Sequence, residues 1–185
     1  GRDITTLPAH KRPGLGLARS FQITAIIPGF TVLENAALAS QSVQGGTFSR
    51  LGRASSDTAI NDNALAALSA VGLVDSAERV AGTLAHGEKR ALELAMALAL
   101  KPKLMLLDEP MAGTGRDETN RMIALLETVK AQATVVLVEH DMSAVFALAD
   151  TISVLDQGRI IATGAPEAIR NDAAVKAAYL GEDSP

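Results

Sequence analysis

Leu104-Met105-Leu106-Leu107-Asp108-Glu109-Pro110 is the stretch whose reading decides the fold. Four consecutive apolar residues seat a strand centrally in a sheet, and the two carboxylates mark the point where it runs out. Upstream, residues 87–100 form a strong helical pattern, and Pro102 separates it from the strand. Downstream, residues 118–131 predict a second helix, and the β-branched run at 134–138 predicts a second buried strand ending at Glu139-His140. Helix and strand alternate, so the chain is expected to be an α/β domain with a largely parallel sheet, whose ligands sit at the carboxyl ends of the strands.

The flanks extend the pattern. Residues 12–21 carry two glycines, then Leu17, Ala18 and Phe21, a turn feeding a short strand that stops near Gln22. An apolar loop with Pro28 and Gly29 follows, and Thr31 with Glu34 forms a capping box that opens a helix over 32–40. Residues 41–56, rich in Gly, Ser, Thr and Gln, predict a flexible connection. A helix from Asp57 follows, with Ile60, Ala64, Leu65, Leu68 and Val71 on one face and Gly72 as its stop. Residues 143–150 predict a helix, 151–155 and 159–162 a pair of strands around Asp156-Gln157-Gly158, and 166–180 one closing amphipathic helix.

Composition bounds the rest. The 185 residues carry a net charge of −4, which argues against a broad electrostatic grip on nucleic acid or anionic lipid. There is no cysteine, so disulfides, thiolate metal sites and cysteine nucleophiles are excluded and a reducing compartment, by default the cytoplasm, is expected. The greasiest stretch, 91–107, is interrupted by Glu93, Lys101 and Lys103 and does not predict a membrane span. Aromatic residues are only 3%, too few for base-stacking platforms.

The strand-end rule directs attention to Gln22, Asp108, Glu109 and His140. Adjacent carboxylates suit phosphate chemistry: the first can hold magnesium and the second can polarise an attacking water. A helix start at Ala85-His86-Gly87-Glu88 presents amides and a dipole to an anion, and Gly87 allows close approach. Each feature also has a purely structural reading: an acidic strand end facing solvent, a glycine at a helix entry, a hydrogen-bonded histidine. Their order along the chain is the stronger signal. Ala95, Ala97 and Ala99 are read as close helix packing.

In that order the residues resemble the ATP-binding subunits of ABC transporters. Gln22 is similar to the Q-loop glutamine, residues 84–88 to a variant signature motif, residues 104–109 to the Walker B segment and His140 to the switch histidine. Ser20-Phe21-Gln22-Ile23-Thr24, Leu33-Glu34-Asn35, residues 84–113 and Ala178-Tyr179-Leu180-Gly181 resemble the subgroup serving branched-chain amino-acid import. The resemblance implies an α/β fold of the P-loop NTPase type, with core segments at 1–22 and 101–164, a helical subdomain at 23–100 and a C-terminal helix at 165–185. It implies ATP and Mg2+ as ligands, Asp108 and Gln22 on the metal, Glu109 as general base, and His140 on the γ-phosphate and water. It further implies that Ala85, His86, Gly87 and Glu88 meet ATP held by a second ATP-binding subunit. A membrane permease would sit on Ile23, Ile26, Ile27, Pro28 and Phe30, placing the subunit on the inner face of the cell membrane, with no nucleic-acid partner.

The sequence also departs from the family. No Gly-rich loop with Lys-Ser or Lys-Thr occurs in these residues, so the chain looks like the C-terminal part of such a subunit, inactive by itself for want of the phosphate cradle. The resemblance places the missing strand between 134–138 and 151–155, which predicts a gap there. Ala85 replaces the usual signature serine, and Gly115 stands where many members have an aspartate. Two alternatives follow: a module that docks on a permease without hydrolysing ATP, and an ABC ATPase of DNA repair or chromosome organisation, which expects a coiled coil and a basic surface that this sequence does not have.

Overall fold

A computed structural model describes residues 3–19, 26–43 and 58–180 of the chain. Two compact units form, Gly1–Glu139 and His140–Pro185. That division falls inside the segment 101–164 anticipated as core.

In the first unit, β1 (Leu17–Arg19), β2 (Leu104–Asp108) and β3 (Thr134–Val138) form a three-stranded sheet in the order β1-β2-β3. Both pairings are parallel, with Ala18 opposite Met105, Leu104 opposite Thr134 and Asp108 opposite Val138. On β2, Met105 and Leu107 are buried while Leu104 and Leu106 are half-buried on the other face. β3 was expected to be buried, yet Val136 is 47% and Val138 57% exposed. The strand alternates, with Val135 and Leu137 half-buried on one face and Thr134, Val136 and Val138 exposed on the other, and it pairs only with β2 among the described residues.

Helices α1 (Val32–Val43), α2 (Thr58–Ala70) and α3 (His86–Ala99) pack together around Val32, Leu68 and Leu92, and α3 also lies against β1. Ala95, Ala97 and Ala99 are buried, which fits close helix packing. α4 (Arg116–Lys130) packs on β3 and α3 through Met122, Leu126 and Val129. The α1 capping box is present: Thr31 N–H donates to Glu34 Oε2 at 2.8 Å and Glu34 N–H to Thr31 Oγ1 at 3.0 Å. The helix runs past the predicted end at residue 40 to Val43. Gly72 adopts φ +72° behind α2, as a helix stop requires.

Asn35 is fully buried, and its side chain grips the preceding loop. Oδ1 accepts from Ile27 N–H at 2.8 Å, while Nδ2 donates to Ile27 O at 3.2 Å and Thr31 O at 2.9 Å. Beside this grip one expectation is corrected. Ile26 turns inward and is buried, so it belongs to the core rather than to an exposed contact face.

The second unit holds α5 (Met142–Leu148), the antiparallel pair β4 (Ile152–Asp156) and β5 (Arg159–Gly164), and the closing segment. Gln157 at φ +45° and Gly158 at φ +78° make the two-residue turn, the hand that matches strand twist. Ile152, Val154, Ile169 and Val175 form its core. The closing helix predicted as one piece is broken into α6 (Pro166–Asn171) and α7 (Ala173–Val175), followed by a π-turn at Lys176–Leu180. Asp172 causes the break: it takes extended dihedrals and its carboxylate accepts from the amides of Ala174 and Val175 at 2.8 and 3.1 Å, restarting the helix.

Replacing Asn35 by Ala removes three hydrogen bonds and takes the acceptor from the Ile27 N–H, while Ile27 O and Thr31 O keep the backbone amides of Phe30 and Asn35. Urea unfolding is expected to show a loss of about 2–4 kcal/mol, against under about 0.5 kcal/mol for an exposed control such as Ser42→Ala.

Candidate functional site

β2 ends in Asp108, and the chain then reverses its local hand: Glu109 sits at φ +46°. A left-handed non-glycine residue costs roughly 1–2 kcal/mol, so neighbouring bonds must hold it. Three do. Glu109 N–H donates to Val138 O at 2.9 Å, Met111 N–H donates to Glu139 Oε1 at 2.9 Å, and Ala112 N–H closes back on Glu109 O at 3.1 Å. Pro110 and Met111 are buried beneath the turn, whereas Asp108 and Glu109 are half-buried at its edge. Because Asp108 lies opposite Val138, the next residues of the two strands, Glu109 and Glu139, emerge at one sheet end.

Arg19, at the end of β1, brings Nη2 to 3.7 Å from Asp108 Oδ2. Neither Arg19 nor Glu139 was singled out from the sequence. The β1–β2 register, with Arg19 opposite Leu106, is what carries the guanidinium to the strand end, and that register is not written in either segment alone. Beyond the turn, Gly113 takes φ +76° and Thr114 Oγ1 lies 2.9 Å from Thr119 Oγ1, fastening the loop to the first turn of α4.

The α3 start is held by contacts from within the chain. Glu88 Oε2 accepts from Ala85 N–H at 2.8 Å, the only half of a capping box that Ala85, lacking a hydroxyl, permits. The same carboxylate is gripped by Arg79 at 2.7 and 3.3 Å. Gly87 has a neighbour within its own chain: a β-carbon there would collide with the carboxylate of Glu118, from the first turn of α4. Ala85 and His86 are exposed, Gly87 and Glu88 half-exposed.

Of the other anticipated residues, Gln22 and Ile23 lie outside the described residues. His140 is exposed and opens the second unit, where Asp141 caps α5 by accepting from the amides of Ser143 and Ala144. Hydrogen bonding from the Ser143 hydroxyl, then the Ala144 amide, holds the Asp141 carboxyl below the usual range. Ile27 and Phe30 are exposed, as is Pro28, and the Thr31–Val80 bridge sets Val80, 45% exposed, beside them. That makes Val80 an unanticipated member of the apolar surface. Among the described residues no three His, Asp or Glu side chains form a metal cage. A single half-buried Asp108 fits magnesium, which takes one or two carboxylates and fills its shell with phosphate oxygens and water.

Comparison with known proteins agrees with this architecture. The family model described as ABC transporter matches residues 1–112, and that described as branched-chain amino acid ATP-binding cassette transporter matches residues 159–184. The chain belongs to the ATP-binding subunits of ABC transporters. It is 36% identical to the high-affinity branched-chain amino acid transport ATP-binding protein BraF of Pseudomonas aeruginosa, over 98% of this chain and 74% of that one. It is 37% identical to LivG of Escherichia coli K12, a protein of the same description, over the same shares. The crystal structure of an ABC transporter ATP-binding cassette in its ADP conformation superposes with a TM-score of 0.81 at 26% identity, covering 98% of this chain and 75% of that one. A nucleotide-free cassette gives 0.77 at 28% identity, with the same coverage.

The Arg79 guanidinium, and after it the Ala85 amide, lower the Glu88 pKa from its ordinary 4.5. The folded-state value lies below the unfolded one, so this stabilisation is complete above the ordinary carboxylate range and is lost as pH falls through the lowered value. Both side chains are partly exposed and screened, so Arg79→Ala should cost under about 1 kcal/mol at neutral pH and low salt. The difference from wild type should shrink both below pH 4 and in 1 M NaCl, measured by urea unfolding.

Proposed function

We propose that this chain is the part of an ATP-hydrolysing subunit that holds the catalytic carboxylate, energising uptake of branched-chain or related amino acids through an ABC importer. One observation carries the reading: Asp108 and Glu109 emerge together at the carboxyl end of a parallel strand, with Glu109 held in a left-handed turn by β3. A carboxylate fixed this way is a preorganised general base, since its approach to water does not depend on a flexible loop.

In this reading Glu109 takes the proton of the attacking water as the γ-phosphoryl bond breaks, and Asp108 holds Mg2+. When bound, magnesium neutralises charge on the phosphate oxygens. His140 orients the γ-phosphate and water, and Gln22 senses nucleotide and metal. Ala85, His86, Gly87 and Glu88 face ATP held by a second ATP-binding subunit. Ile27, Pro28 and Phe30, with Val80, form the face for a membrane permease. The subunit would work on the cytoplasmic side, and no helix among the described residues is long and apolar enough to cross a membrane. The transported molecule is inferred from the relatives' descriptions.

A second reading has one observation in its favour: these 185 residues contain no Gly-rich loop ending in Lys-Ser or Lys-Thr. It makes the chain a docking module without turnover. Phosphate release by the subunit purified in complex with its permease separates the two. Hydrolysis that falls at least about 100-fold in Glu109→Gln, with the complex intact, is the expected result. Full activity in that variant would overturn the role of Glu109, and a complex with no hydrolysis at all would favour docking.

A further inference from the structure

Where α3, α4 and the end of β2 meet, a cavity of about 20 Å3 is lined by Arg90, Glu93, Ala97, Leu107, Pro110 and Met122, among others. Leu107, Ala97 and Met122 are buried apolar residues, and the only charged groups on the wall are Arg90 and Glu93. These two, one turn apart on α3, make a single direct contact, Nη1 to Oε2 at 3.4 Å, with side chains 18% and 13% exposed. One further atom of each is buried and has no partner among the described residues: Arg90 Nε, a donor, and Glu93 Oε1, an acceptor. A stranded donor and acceptor of opposite charge are costly to leave unpaired in an apolar surround.

We infer that this cavity is a binding site for one structural water molecule, held between Arg90 Nε–H and Glu93 Oε1. The volume suffices: a water needs about 10–15 Å3 of space measured this way. The chemistry suits it too, since water donates to Oε1 and accepts from Nε–H at once. The long, one-pronged ion pair thereby becomes a closed ring of hydrogen bonds. The site ties α3, which carries the Gly87 helix start, to the wall formed by Leu107 and Pro110 on either side of the Asp108-Glu109 pair. It is independent of the function proposed above.

A dry and a wet cavity respond with opposite sign to being filled. Ala97→Val projects methyl groups into the space. In wild type it should expel the water, strand both prongs and lower Tm by several degrees. In an Arg90→Met/Glu93→Leu background no polar group is left to strand, so the same substitution should cost clearly less. The helix-propensity cost of valine is common to both backgrounds and cancels in the comparison. An equal loss in both backgrounds, or a gain in Tm in wild type, would overturn the inference. Magnetic relaxation dispersion of 17O on the full chain gives a second readout that does not require the double variant. Wild type should hold one more long-lived water than Ala97→Val, and equal numbers would likewise overturn it.

Discussion

The parallel pairing of β2 with β3 is the constraint on which the rest of the first unit depends. Its last matched pair, Asp108 with Val138, sets Val138 O where Glu109 N–H can reach it, and sets the Glu139 carboxylate where it can take Met111 N–H. Together with the bond from Ala112 to Glu109 O, these hold Glu109 at φ +46°. A slip of one residue in this register would remove the carbonyl from Glu109 and turn the buried side chains of β2 to the other face. The backbone position from which the adjacent carboxylates project is therefore a consequence of strand registry.

Around this turn the helices are fastened by charge at short range and by small residues. Glu88 is held by Arg79 and the Ala85 amide, so the start of α3 is fixed before any ligand arrives. Gly87 lets the Glu118 carboxylate lie directly on the helix, bringing the first turns of α3 and α4 together. Further along α3, the Arg90–Glu93 pair meets Leu107 and Pro110 at the same junction. The last two contacts bind one helix to the helix that follows the Asp108 strand and to the end of that strand.

Much of this was legible in the sequence because it is local. The capping box at Thr31 and Glu34, the β2 and β3 strands, the Gly72 stop and the Asp156–Arg159 hairpin each depend on residues within a few positions of one another. What escaped depends on registry or on a missing neighbour. Arg19 reaches Asp108, and Glu139 reaches Met111, only through the order of strands. Val136 and Val138 have the composition of a buried strand and lie on the exposed face of β3. Ile26 looks like its exposed neighbours in composition, yet it is buried, next to the Ile27 backbone that the Asn35 side chain holds. Asp172 suits a continuing helix by periodicity, but its carboxylate competes for the backbone amides and breaks it.

Amide hydrogen exchange at Glu109 and Met111 tests the central claim most directly. Both N–H groups should be protected to the same extent as the interior of β2. In Glu139→Ala, Met111 should exchange at least about tenfold faster, the equivalent of losing roughly 1.4 kcal/mol of local protection, while Leu106 is unchanged. Rapid exchange at Glu109 in wild type, or no response of Met111 to Glu139→Ala, would contradict the account that β3 holds the carboxylate turn in place.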